Sequence, residues 1–207
     1  MRYFRRARLL FLGDENQAIR PSTATFDEVR ALVGEMRGEL EECSLMTSYR
    51  STPAITALFA KLARSDDAMR ITSVQRDQEE PVVAAYDDEA AYEEALRAAV
   101  AEAREAEGIA AVIVPWKREA KRLMALLGDE APSFVDDGRP LPEEGVVLLT
   151  LEQAQGLEFD FVVVPDASAR LFPADDDIAR HRLYTTISRA TRRIAVLSLG
   201  ELTPLLA

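Results

Sequence analysis

The segment from Val146 to Asp166 limits most sharply what this chain can fold into. It reads V-V-L-L-T-L-E-Q-A-Q-G-L-E-F-D-F-V-V-V-P-D, with two uninterrupted apolar runs, Val146 to Leu149 and Phe161 to Val164, on either side of a short polar connection. Runs rich in β-branched residues suit strands buried on both faces, as in parallel sheets whose crossover helices cover both sides. A carboxylate beside a glycine, Gly156-Leu157-Glu158, stands just ahead of the second run. Open α/β sheets hold ligands at strand ends and in the loops there, so this connection is a place to look for chemistry.

The rest of the chain repeats the strand and helix rhythm. Leu9 to Leu12, Leu45 to Ser48, Ile71 to Gln75, Pro81 to Tyr86, Ala110 to Val114 and Ile194 to Leu199 read as strands. Phe26, Val29, Leu32, Val33 and Met36 fall on one helical face, with Thr25 or Ser22 as cap. Pro53 after Thr52 is a helix start continued by Ile55, Leu58, Phe59 and Leu62. An acidic, Ala-rich helix is expected over Glu89 to Glu107, with Tyr92, Leu96 and Val100 inward and Gly108 ending it. Helices are also expected over Trp116 to Leu127, with Lys117, Arg118, Lys121 and Arg122 outward, and over Ile178 to Arg189. Residues 128–145 read as a connection and 201–207 as a short tail. This alternation implies an α/β fold with a mainly parallel sheet covered on both faces.

Charge and composition exclude several classes. A net charge of −11 opposes general attraction to nucleic acid or anionic membrane, so any nucleic-acid contact must be local. Cys43 and His181 are single, which leaves no disulfide framework and no Cys/His metal cluster. That fits a reducing cytoplasm. No apolar run approaches the ~18 residues of a membrane span, and the basic start, Arg2 to Arg8, lacks the rest of a signal sequence.

Four polar clusters carry the chemistry. Gly-Asp-x-x-Gln-x-Ile at Gly13 to Ile19, Ser-Tyr-Arg-Ser-Thr at Ser48 to Thr52, Gln-Gly-Leu-Glu-Phe-Asp at Gln155 to Asp160, and Leu-Tyr-Thr-Thr-Ile-Ser-Arg-Ala at Leu183 to Ala190 occur in that order. They resemble motifs III, IV, V and VI of superfamily 1 helicases of the UvrD/Rep type, and the order over most of the chain makes the resemblance specific. It implies a RecA-like, P-loop NTPase-type three-layer fold. Residues 1–40 would be the end of a first RecA-like domain and 41–207 a second.

The resemblance also implies roles. Gln17 would sense the γ-phosphate of ATP or its attacking water. Arg50 and Arg189 would be brought to that phosphate, a task suited to a guanidinium that stays charged and offers paired donors. Tyr49 would stack on adenine, Glu158 would accept from the ribose, and Gly156 would permit close backbone approach. Taken singly, each residue has an ordinary reading. Tyr49 reads as a strand-end aromatic, Glu158 as a cap, Gln17 and Gly13-Asp14 as turn residues. Arg189, seven residues after Arg182, would then lie on an exposed basic helix face.

What is missing bears equally on function. No Gly-Lys pair occurs in the 207 residues, hence no Walker A loop, and no apolar strand ends in Asp-Glu for magnesium. The expectation is the arginine-bearing half of an ATP and Mg2+ site, completed by an upstream Walker-bearing domain and inactive alone. Motif V departs from Thr-x-His-x-x-Lys: the positions are Thr150, Glu152 and Gln155, so a strand-binding contact there is weakened. After motif III only one late aromatic, Phe26, remains for base stacking, which contributes about 1–3 kcal/mol per base. These departures, with the short 128–145 connection, resemble helicase-IV-like and RNA-polymerase-associated members. The leading reading is the C-terminal motor domain of a DNA helicase or translocase with single-stranded DNA as partner. The alternative is a motor acting on a protein partner such as RNA polymerase, with the acidic helix as contact. A third, an inactive remnant, sits poorly with the kept arginines.

Overall fold

The computed structural model describes residues 9–38, 40–45, 47–63, 71–76, 79–135 and 140–206. Arg2 to Arg8 and part of the 128–145 connection lie outside them. Helix α1 spans Phe26–Arg37, β1 Thr47–Ser48, α2 Pro53–Ala60, β2 Thr72–Ser73, β3 Val82–Tyr86 and α3 Glu89–Glu105. They are followed by β4 Ile109–Val114, α4 Lys117–Leu127, β5 Ser133–Phe134, β6 Gly145–Thr150, β7 Phe159–Val164, α5 Asp177–Ile187 and β8 Ala190–Leu199. β1 and β2 pair in parallel by themselves. The others form one parallel six-stranded sheet in the order β3-β8-β7-β4-β6-β5.

The uninterrupted apolar runs are explained by what lies on each side. Ala111, Ile113, Val162, Val164, Ile194 and Val196 face α2 and α5 in one core. Their neighbours Ala110, Val112, Val114, Phe161, Val163, Ala195 and Leu197 face α3 and α4 in another. Successive strand side chains point to opposite faces, so a strand buried on both must be apolar at every position. The expected three layers are therefore present.

Caps set the helix starts. Thr25 and Glu28 form a capping box at α1, Thr52 caps α2 with Pro53 next, Asp88 caps α3 and Asp176 caps α5. Several expectations need correction. Leu9 to Leu12 forms no strand: Leu10 and Leu12 are 82% exposed and no described neighbour pairs with them. Ile71 to Gln75 contracts to the two residues of β2. The 128–145 connection contributes β5, which pairs with β6 at the sheet edge. The last helix ends at Ile187, two residues short of Arg189. Among the described residues no helix is long and apolar enough to cross a membrane.

Candidate functional site

Arg189 falls in the turn between α5 and β8, and its surroundings overturn the exposed-face reading. It is 3% exposed. Its backbone carbonyl accepts from Phe159 N–H at 2.9 Å, which ties the turn to the start of β7. Its guanidinium donates through Nη1 to Leu157 O at 3.1 Å, through Nε to Thr185 O at 3.2 Å, and through Nη2 to Gln17 Oε1 at 3.0 Å and Ser188 Oγ at 3.3 Å. Gln17 in turn donates to Asp14 Oδ2 at 3.0 Å. Residues from motifs III, V and VI thus meet on one guanidinium. Burial first, then the nearby charge of Arg50, pushes the Arg189 pKa down, opposed by Glu158, Asp14 and Tyr184.

The segment around Gln17 is held along α5. Ile19 is buried, and Ala18 O lies 3.2 Å from His181 Nδ1. Tyr184 packs edge-on against Phe59, ring centres 5.3 Å apart. Burial, reinforced by Asp14, raises the Tyr184 pKa. Asp14, His181 and Tyr184 were not singled out from the sequence; two of them stand inside the quoted motifs, which was the available signal.

Arg50 is placed by its neighbours. Ser51 Oγ donates to Ala190 O at 2.6 Å and Thr52 N–H to Thr191 O at 3.0 Å, so the segment after β1 is fastened to the start of β8. Arg50 reaches Glu158 at 2.5 Å, with side chains 41% and 46% exposed. Tyr49 is 73% exposed, and its carbonyl accepts from Gln75 Nε2 at 2.5 Å. Gly156 has φ +78°, a conformation that favours glycine, with open space where a Cβ would point. Gln17, Arg50, Gly156, Glu158 and Arg189 therefore gather at the amino ends of β7 and β8, with Tyr49 exposed beside them.

Thr150 and Glu152 lie elsewhere, at the carboxyl end of β6. Thr150 is 4% exposed and its hydroxyl donates to Gln153 Oε1 at 2.9 Å, so it presents little to a ligand. Glu152 accepts from Arg20 Nε and Nη2 at 3.1 and 2.9 Å, which offsets its charge. Close by, the sole tryptophan, Trp116, follows β4 with the guanidinium carbons of Arg118 and Arg182 4.8 and 5.2 Å from its ring centre. These line or flank a cleft of about 230 Å3 that also includes Ile19 and Lys117. Among the described residues no group of three or more His, Cys, Asp or Glu side chains is placed to hold a metal ion.

Comparison with known proteins bears on the fold and the family likeness. Residues 145–197 match the family model of the UvrD-like helicase C-terminal domain. The crystal structure of the C-terminal domain of a possible DNA helicase from Lactobacillus plantarum WCFS1 superposes with a TM-score of 0.61 at 27% identity, covering 77% of this chain and 92% of that one. An arterivirus helicase, nonstructural protein 10 in complex with DNA, aligns at 15% identity and a TM-score of 0.35 over 72% of this chain and 33% of that one, a likeness too slight to carry an argument. No curated protein matches in sequence. With β6, β7, the turn at Arg189 and most of β8 inside it, the stretch 145–197 is similar to the UvrD-like helicase C-terminal domain, and the chain shares the α/β fold of a helicase C-terminal, RecA-like domain.

Proposed function

We propose that this chain is the C-terminal motor domain of an ATP-dependent DNA helicase or translocase, supplying arginines to an ATP site completed by an upstream Walker-bearing domain. In this reading residues 1–40 are the end of that first domain and 41–207 the second. The observation that carries it is the joining of motifs III, V and VI through Arg189, with Arg50 beside them on Glu158.

The residues fit a nucleoside triphosphate by their chemistry. An exposed ring at Tyr49, a carboxylate at Glu158, an open glycine at Gly156 and two guanidiniums supply stacking, an acceptor, room and positive charge. Bound Mg2+ would neutralise phosphate charge, and its ligands would come from the upstream domain. Arg189, already using Nε, Nη1 and Nη2, fits holding Gln17 and the motif V loop in register. Arg50 is freer: exchanging Glu158 for a phosphate oxygen exposes no buried charge. Glu158 would then be released to accept from a ribose hydroxyl. In such a site closure of two domains, rather than motion within this one, assembles the charges.

Single-stranded DNA would contact the local basic cluster at Trp116, Arg118 and Arg182, the aromatic platform this otherwise acidic chain offers. Quenching of the sole tryptophan by oligo(dT), lost as salt rises, is the expected result, and unchanged fluorescence would remove that contact. For the motor itself the test is ATP hydrolysis by this chain and by the chain joined to its Walker-bearing domain, with and without single-stranded DNA. Turnover only in the joined form and stimulated by DNA supports the reading. Turnover indifferent to DNA would favour a protein substrate, and no turnover in either form would refute a motor.

A further inference from the structure

A cavity of about 320 Å3 opens between α3 and α4 at the carboxyl ends of β4, β7 and β8. It lies on the sheet face away from α5, none of Gln17, Arg50 and Arg189 lines it, and it adjoins the cleft at Trp116 through a shared Pro115. In open parallel sheets this end is where ligands are held, and the volume is near the lower bound of ligand pockets. Nothing in the proposed ATP or DNA chemistry uses it.

The floor is apolar, with Val114, Leu123, Leu126, Leu171 and Leu199. The rim carries four carboxylates, Glu89, Glu93, Glu119 and Asp166, with Arg122 in the lining and Arg118 and Arg170 pairing with Glu119 and Asp166 from outside it. Two of these carboxylates are mostly withdrawn from water. Glu119 has a side chain 14% exposed, paired at 3.1 Å with Arg118, which is itself 71% exposed. Asp166, 17% exposed, takes Ser168 N–H at 2.9 Å and Arg170 Nη2 at 3.2 Å. Tyr92 stands in the wall and donates to Pro165 O at 2.8 Å; burial first, then Asp166, raises its pKa, with Glu119 and Glu93 adding to the effect against Arg122.

A negative field above a dry floor repels phosphates, so this is not a second nucleic-acid surface. It suits a group with an apolar stem and a cationic, planar head. An arginine side chain has both, and its fork can bridge two carboxylates while its methylenes cover leucines. Arginine is also among the residues that most often anchor protein interfaces. We propose that this cavity is a docking site for an arginine side chain of a partner protein, its stem on Leu123 and Leu199 and its guanidinium among Glu93, Glu119 and Asp166.

The test is a 15N–1H spectral titration of the 207-residue chain with N-acetyl-Leu-Arg-Leu-amide. The same peptide with citrulline, a neutral isostere, and spermidine, a cation without a planar head, are the comparisons. The Arg peptide should shift the amides of Tyr92, Glu93, Glu119, Leu123 and Asp166. The citrulline peptide should bind at least about tenfold more weakly, since a charge-assisted hydrogen bond is what separates the two. Glu119→Gln and Glu93→Gln should each weaken the Arg peptide by about tenfold, and Glu93, on the half-exposed side of α3, keeps the test alive if Glu119→Gln unfolds. Absence of these shifts, equal binding of the citrulline peptide, or spermidine binding as tightly as the Arg peptide would each overturn the proposal.

Discussion

Arg189→Ala should destabilise the isolated chain far more than Arg50→Ala, although both residues are arginines assigned to one site. The Arg189 guanidinium donates to Leu157 O, Thr185 O and Gln17 Oε1 while only 3% of the residue is exposed. At about 1 kcal/mol net per hydrogen bond, the three contacts amount to about 3 kcal/mol. For a chain of this length 1 kcal/mol moves Tm by about 2–4 °C, giving a fall of about 6–12 °C. Burial already disfavours the Arg189 charge, as its lowered pKa shows, so removing it returns part of that loss and the lower end is expected. The Arg50 to Glu158 pair is exposed on both sides, where such pairs contribute about 0–1 kcal/mol, so Tm should move by no more than about 4 °C. Thermal unfolding followed by circular dichroism at pH 7 decides between them. Equal small shifts for both variants would mean that the guanidinium is not held as described.

Gly108→Ala should be much more harmful than Gly156→Ala in urea unfolding. Both have φ near +80°, which costs about 1–2 kcal/mol for an L side chain, but a Cβ at Gly108 would meet Asp160 Oδ2 at 2.1 Å whereas Gly156 opens onto free space. Equal losses would refute the collision. Tyr92 and Tyr184 should ionise later than an ordinary tyrosine in a titration read at 295 nm. Their folded pKa values are raised, so above about pH 10 the unfolded chain loses these protons first and Tm should fall as pH rises; a flat profile would contradict the burial. Tyr49→Ala, at a residue 73% exposed, should leave Tm unchanged while raising KM for ATP in the Walker-joined protein more than it lowers kcat. An unchanged KM would return Tyr49 to a plain surface aromatic.

The central strands were legible because burial on both faces leaves no room for polar residues, and β4, β6 and β7 match their apolar runs to within two residues at each end. An equally apolar run at Leu9 to Leu12 forms no strand, since pairing depends on a neighbour that local composition does not encode. β5 escaped notice for the opposite reason. Two residues inside an Asp, Glu, Gly and Pro-rich connection carry no periodicity, yet the exposed edge of β6 recruits them.

At the candidate site the order of the motifs was visible, but the state of each side chain was not. Spacing from Arg182 placed Arg189 on a helix face, a deduction valid only while the helix continues; it stops at Ile187 and turns Arg189 inward. Thr150 and Glu152 looked like strand-binding positions. Their partners Gln153 and Arg20 come from a local turn and a segment far away in sequence, so neither engagement follows from spacing. Trp116 was read as a helix start, and its two guanidinium neighbours come from separate helices.

The measurement that bears most directly on the motor reading is single-turnover ATP hydrolysis by the Walker-joined protein carrying Arg50→Ala, beside the unaltered form. Arg50→Ala should keep its fold, so a fall of about three powers of ten in turnover is expected if its guanidinium meets the transferring phosphate. Unaltered turnover would contradict the account.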